Sequence, residues 1–341
     1  MKNKKGELTL LLASLLWGTC FVFQKISMDF IGPFTLGAFR FLLGGMALVP
    51  VMIIFGIKEK KSLGNLKGMG NLENLENQEE LEELEELEEL KKIDNLENQV
   101  YTQNIAITEK FKDIQLYIGG VLCGTALFAA ASFQQIGLQY TTAGKAGFIT
   151  SLEIVLVAAI FIFVSKKVQI NVLIGVALAV IGMYLLCMVE GFCLEKGDAY
   201  ELMGVVFWAM QVLVIDRYSK KVDVIKLSFV QFMTTGILSC VFMYAFENPQ
   251  WSQIMSCVVP ILYTAIIEVA VAYTLQIVGQ RYTQPDIASV ILSLESVFAV
   301  ISGVLILGEI ITFREFLGCV LMLVAIIVTQ LPKRDIGIKV K

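Results

Sequence analysis

Ten apolar runs, each about as long as a bilayer core is thick, dominate the 341-residue chain. They lie at 8–28, 34–57, 114–138, 142–164, 170–189, 198–219, 224–246, 258–280, 284–308 and 313–331. A helix rises about 1.5 Å per residue, so about 20 apolar residues cross a hydrocarbon layer. Inside lipid every backbone N–H and C=O needs a partner within the protein, which leaves helices or closed barrels. No segment shows the ten-residue alternation of a barrel strand, so a barrel is excluded. Composition agrees, with 56% of residues hydrophobic and 17% charged, against about 25% charged in a soluble domain. The chain reads as an all-α integral membrane protein with ten transmembrane helices.

The first run follows Met1-Lys2-Asn3-Lys4-Lys5 and superficially resembles a signal peptide. It is long, ends at Gln24-Lys25 without a small-residue cleavage site, and leads straight into the next run, so it is taken as the first span. Orientation follows from the basic residues of the short connections. Thirteen Lys and Arg fall on one side, among them Lys4, Lys5, Lys166, Lys167, Arg217, Lys220, Lys221 and Arg281, against Lys196 and Arg314 on the other. Both termini are therefore expected in the cytoplasm, with the protein in the plasma membrane.

Between the second and third runs the composition changes abruptly. Lys58 to Asp113 holds 15 Asp/Glu and 8 Lys, a local charge of 8 − 15 = −7 within a chain of net −4. Its Leu residues recur every third position (81, 84, 87, 90). On a 3.6-residue helix that period walks around the cylinder and builds no apolar face. The segment reads as a tolerated low-complexity expansion of a cytoplasmic loop rather than a docking tail.

Aligning Trp17 with Trp208, at an offset of 191, brings Phe41 onto Phe232, Gly45 onto Gly236 and Arg40 onto Gln231. At an offset of 142, Gln134 meets Gln276, Tyr140-Thr141 meets Tyr282-Thr283, and Ser151-Leu152-Glu153 meets Ser293-Leu294-Glu295. The offsets differ by 191 − 142 = 49 residues, nearly the whole acidic segment. The expected division is a first repeat at 1–57 (helices 1 and 2) and 114–190 (helices 3 to 5), interrupted by the insertion at 58–113. A second repeat occupies 198–331 and a cytoplasmic tail 332–341. Five spans per repeat is odd, so the halves enter the membrane from opposite sides: two inverted five-helix repeats, with a substrate site between them.

The stretch Gln284-Pro285-Asp286-Ile287-Ala288-Ser289 through Ser293-Leu294-Glu295-Ser296-Val297-Phe298-Ala299, with Leu307-Gly308-Glu309 and Gly318, resembles the second repeat of EamA-type members of the drug/metabolite transporter superfamily. Trp17-Gly18 and Phe39-Arg40-Phe41 resemble the first. The resemblance implies a ten-helix carrier, commonly an exporter of amino acids or other metabolites. Such proteins usually carry Pro after each repeat's Glu; here Ile154 and Ser296 stand there, which removes the proline basis for a broken helix.

Ionisable residues in mid-bilayer cost about 2.5–3.5 kcal/mol each on insertion scales, so they mark cavities or partners. Glu153 and Glu295 occupy equivalent positions in helices 4 and 9, and Glu268 lies on the row Thr264–Glu268–Ala272–Gln276 of helix 8. The chain has no His, so these three carboxylates are the expected proton-coupling groups, Glu268 first. The alternative is that each is a paired structural charge, for instance Glu153 with Arg40. Arg40 could anchor an anionic substrate group bidentately. Trp17, Phe21 and Gln24 share a face of helix 1, and Trp208 and Gln211 one of helix 6. With Arg40, these form the expected substrate-binding set, an aromatic box able to stack on a flat substrate or hold a cation. Helices 5 and 10, without mid-span charge, are expected at the periphery.

No nucleotide loop, acidic metal cluster or Ser/His/Asp set is present, so no enzymatic activity, catalytic residue, metal or cofactor is expected. Seven scattered Cys form no C-x-x-C pair and read as apolar packers. No filter loop suggests a channel. The expected function is a secondary active exporter of amino acids or other small metabolites, working by alternating access with proton coupling. An uncoupled facilitator is the alternative, and a membrane receptor or structural protein ranks lower. The expected partners are a small-molecule substrate and the lipid bilayer, with a homodimer left open and no nucleic acid. The orientation predicts that a Cys introduced beside Pro249 reacts with an impermeant thiol reagent in intact cells, whereas one beside Leu84 does not; labelling at Leu84 reverses the topology.

Overall fold

The computed structural model describes residues 4–68, 112–140, 149–165, 170–187, 196–302, 305 and 312–331, and all regular structure among them is helical. In chain order the helices are α1 (Lys4–Met28), α2 (Pro33–Gly68), α3 (Lys112–Leu138), α4 (Glu153–Ser165), α5 (Ile170–Cys187), α6 (Lys196–Tyr218), α7 (Val224–Phe246), α8 (Val258–Gln280), α9 (Pro285–Ser302) and α10 (Phe313–Gln330). Seven of them carry stretches long and apolar enough to cross a membrane. The shorter apolar helices Ile149–Ile160, Ile170–Gly182 and Phe316–Thr329 complete the set among the described residues. Large apolar side chains such as Met46, Leu122, Val206, Ile237 and Val241 stay exposed along the outer faces, as lipid contact allows. The protein is a multi-pass membrane protein.

Helix α2 continues to Gly68, past the expected boundary at 57, although its membrane-compatible part ends at Ile54. Its last residues include Lys58-Glu59-Lys60-Lys61, a polar run that suits water rather than lipid. The Glu/Leu centre of the insertion and the tail at 332–341 lie outside the described residues.

Contacts between helices pair off across the two halves. Helix α2 packs on α7, and α5 on α10. Helix α1 packs on α8 and α9. Its counterpart α6 packs on α4, and on α3 where Phe133 stacks on Phe207. The α2–α7 pair is closed by a cap: Glu247, just past α7, accepts from the first-turn N–H groups of Phe34 (2.8 Å) and Thr35 (2.7 Å) and from the Thr35 hydroxyl. Those N–H groups have no partner within α2, and a carboxylate satisfies them at the favourable end of the helix dipole.

Close approach decides two glycines. A Cβ on Gly18 would sit 2.8 Å from the carbonyl oxygen of Glu295, so only Gly lets α1 lie against α9 at that point. In the peripheral pair, a Cβ on Gly182 would lie 2.8 Å from the Gly318 carbonyl and 3.1 Å from Met322 N. Small residues of this kind let membrane helices pack backbone to backbone. Gly182→Leu should therefore cost about 1–3 kcal/mol through overpacking and lower the melting temperature in detergent, whereas Ile181→Leu on the exposed side should leave it unchanged.

Candidate functional site

Both glutamates of the repeat sit at helix breaks. Helix α4 is preceded by a helical turn at 149–151 that is interrupted at Leu152, so Glu153 opens the helix proper. Helix α9 is split into Pro285–Leu292 and Glu295–Ser302 by the turn Ser293-Leu294, so Glu295 opens its second half. Neither break needs the proline that the family pattern places after the glutamate. In α9 the Ser293 hydroxyl bonds the Val290 carbonyl at 2.8 Å and takes up an acceptor that would otherwise receive the helical ladder. The Ser151 and Ser296 hydroxyls lie 3.1 Å apart and tie the two breaks together.

Around these breaks lies a partly open central cavity. Trp17, Phe21 and Gln24 of α1, Trp208 of α6 and the carboxyls of Glu153, Glu268 and Glu295 all line it. Two members of the expected substrate set do not. Arg40 is 1% exposed, and its Nη1 donates to Glu268 Oε1 at 2.9 Å. Gln211 is fully buried and exchanges amide hydrogen bonds of 3.2–3.3 Å with Gln276. Both lie behind the wall. The partner of Arg40 is thus Glu268, not the Glu153 considered from sequence. Glu153 and Glu295 make no ion pair among the described residues.

The aromatic box closes through a residue that the sequence reading passed over. Tyr273 lies between the two repeat-related tryptophans, 4.8 Å from Trp17 edge-on (62°) and 6.3 Å from Trp208 with the rings 7° from parallel. Phe41 and Phe232, also repeat-related, each lie 6.1 Å from its ring on the side toward α2 and α7. Both indole N–H groups are buried without a hydrogen-bond partner.

Tyr273 reaches this position because α8 is not α-helical throughout. From Thr264 to Tyr273 its ladder is a π-helix, with i→i+5 hydrogen bonds. The Thr264 hydroxyl bonds the carbonyls of Pro260 and Ile261, at 2.9 and 3.1 Å, just where the ladder changes register. On an α-helix, positions 268 and 273 would point about 140° apart. On the wider turn they approach one row, so Glu268 and Tyr273 face the cavity together.

A second polar group was also missed. Glu201 near the start of α6 is 1% exposed, and its Oε2 accepts from Thr150 Oγ1 at 2.9 Å. Thr150 in turn accepts from Gln134 at 3.4 Å, and both line the cavity. Gln24 accepts from Gln135 of α3, closing the remaining side.

The buried pair predicts an asymmetry between single and double variants. Removing either partner leaves an uncompensated charge, at about 3–5 kcal/mol, whereas an apolar pair of similar volume is often neutral. Arg40→Ala and Glu268→Ala should each lower thermal stability sharply. Arg40→Met with Glu268→Leu should recover most of the loss, as read by thermal unfolding of the purified protein.

A family model for EamA-like transporters matches residues 4–72 and 195–331. A protein of Archaeoglobus fulgidus described as an uncharacterized transporter is 30% identical over 332 residues, which span 97% of this chain and 87% of that protein. One solved crystal structure shares the fold, with a TM-score of 0.68 and 16% identity over 96% of this chain and 97% of the other. The chain therefore belongs to the EamA-like transporter family and is a membrane transporter.

Proposed function

We propose that the protein is a secondary active exporter of amino acids or other small metabolites, and that it works by alternating access coupled to protons. Ten spans form two inverted five-helix repeats, both termini are cytoplasmic, and the protein resides in the plasma membrane. The observation that carries this reading is the pair Glu153 and Glu295. Two carboxyls at repeat-equivalent positions open the halves of broken helices, face one cavity, and have no ion-pair partner among the described residues. Broken helices at a repeat interface are where transporters of this type bind substrate and coupling ion.

The geometry moves the first choice of proton carrier from Glu268 to Glu295 and Glu153. Protonating Glu268 would strand the Arg40 guanidinium, which is 1% exposed, at a cost of about 3–5 kcal/mol. Glu153 and Glu295 can gain or lose a proton without breaking an ion pair, and each remains half-buried at the cavity wall. In the cycle, rocking of the halves exposes these carboxyls to one side at a time. A proton taken from the outer side drives the return of the emptied carrier.

Export should appear as selective loss of a metabolite from cells that overproduce the protein, relative to cells carrying an empty vector. In proteoliposomes with that metabolite, Glu295→Gln and Glu153→Gln should abolish accumulation driven by a pH gradient while sparing exchange at equal pH. Parental pH dependence in both variants would establish an uncoupled facilitator instead.

A further inference from the structure

We infer that the cavity selects an organic cation, a protonated amine or quaternary ammonium compound, and that this cation and protons compete for the same carboxylates. The inference rests on the transport reading above and names the substrate class for that site.

Charge accounting comes first. The described residues of the wall include three carboxyls and no Lys or Arg. The nearest guanidinium, Arg40, lies behind the wall and is committed to Glu268 at 2.9 Å. Lys25, next to the cavity residue Gln24, is exposed. With Glu268 compensated by Arg40, Glu153 and Glu295 remain. Charges buried without a counterion are expensive, so the site is neutral only when protons or a cation occupy it. An anionic substrate would add to the excess, because among the described residues no Lys or Arg lines the wall to receive it.

The walls supply the second argument. Four aromatic residues, Trp17, Phe21, Trp208 and Tyr273, line the cavity. A cation over an aromatic face gains about 0.5–2 kcal/mol, most at Trp and most when desolvated, and aromatic cages are the usual way to hold quaternary ammonium. Neutral flat substrates would also stack there but would leave the carboxylates uncompensated.

Glu268 is 2% exposed and lines the cavity. Among the described residues, the ionisable groups that line the cavity with Glu153 and Glu295 are Glu268 and Tyr273 of α8, with Cys20 of α1 and Arg40 of α2 beyond Glu268 and Glu201 of α6 beyond Thr150. Helix α3 presents only the amides of Gln134 and Gln135. Arg40 is the one cation in this set, so occupancy by an ammonium group and occupancy by protons exclude each other at Glu153 and Glu295. That exclusion converts a proton gradient into outward movement of the cation.

The protein carries its own reporter. Of its three Trp, two line the cavity and Trp251 is exposed. In Trp251→Phe protein in nanodiscs, choline, tetramethylammonium and phenethylamine should change the emission of Trp17 and Trp208 saturably, whereas succinate and glucose should not. Combining Glu153→Gln with Glu295→Gln should weaken choline binding roughly tenfold or more. With the native carboxylates, the apparent affinity for choline should fall steadily as pH is lowered. A saturable response to succinate, silence with all three cations, or choline affinity that does not change with pH overturns the inference. Choline binding without choline flux in proteoliposomes would uphold this site while refuting the transport reading, and gradient-driven succinate flux without cation binding would do the reverse.

Discussion

The Arg40–Glu268 ion pair organises the middle of the molecule. It joins α2 to α8 at 2.9 Å with both side chains almost wholly out of contact with solvent, where separating the charges is far more costly than at a surface. Glu268 lies within the π-helical stretch of α8, so the pair also fixes the register that turns Tyr273 toward the tryptophans. The Arg40 guanidinium further rests over the Phe41 ring, 4.9 Å from its centroid. Phe41 packs in turn on Phe232 and Tyr273. One charge pair thereby sets the orientation of the ring cluster beneath the cavity and, among the described residues, holds the nearby guanidinium away from its wall.

The scaffold was legible in the sequence and parts of the site were not. Apolar run length located the helices because membrane thickness imposes it, and the offsets of 191 and 142 brought together residues that line one cavity, such as Trp17 with Trp208 and Glu153 with Glu295. Tyr273 escaped because helical-wheel arguments assume one period, and α8 changes period between Thr264 and Tyr273. Glu201 escaped because it lies in the second turn of α6, near a helix start where a carboxylate is ordinarily solvated. Its burial depends on Gly137 of α3, whose missing side chain leaves room for it. The partner of Arg40 is 228 positions away in sequence, and no local pattern could choose between Glu153 and Glu268. The break in α9 escaped for a related reason: it carries no proline, and the Ser293 hydroxyl bonds the Val290 carbonyl instead.

The departures from repeat symmetry fall where they bear on mechanism. Equivalent positions retain Trp17 and Trp208, Phe41 and Phe232, Gln134 and Gln276, and Glu153 and Glu295. Of these, the Trp, Gln and Glu pairs line the cavity, and the two Phe pack beneath it against Tyr273. The residues around the ion pair are not retained: Arg40 corresponds to Gln231, Glu268 to Ala126 and Tyr273 to Ala131. The ion pair joins α2 of the first repeat to α8 of the second, and the position matching Arg40 holds the Gln231 amide, buried with neither its oxygen nor its nitrogen hydrogen-bonded. Glu201 is likewise unmatched, since Leu10 takes its place against Gly279 as Glu201 does against Gly137.

Under the proposed rocking cycle this asymmetry has an energetic consequence. Two identical inverted halves would make the inward-open and outward-open states mirror arrangements of equal free energy. An empty carrier would then divide its time evenly between them. A buried ion pair on one side only, worth several kcal/mol if broken, removes that degeneracy unless it moves as a rigid unit. Arg40 and Glu268 lie on α2 and α8, which belong to different repeats but pack directly on each other, so the pair stays intact only if these two helices move together. The free-energy difference between states is then left to groups whose surroundings change on rocking: Glu153 and Glu295 at the wall, and Glu201 behind Thr150. Ligand and protons can shift a two-state equilibrium only through a difference in affinity between the states. In this fold that difference can arise at the carboxyls without an ion pair among the described residues, Glu153 and Glu295 at the helix breaks and Glu201 behind them, whereas Glu268 is already neutralised by Arg40.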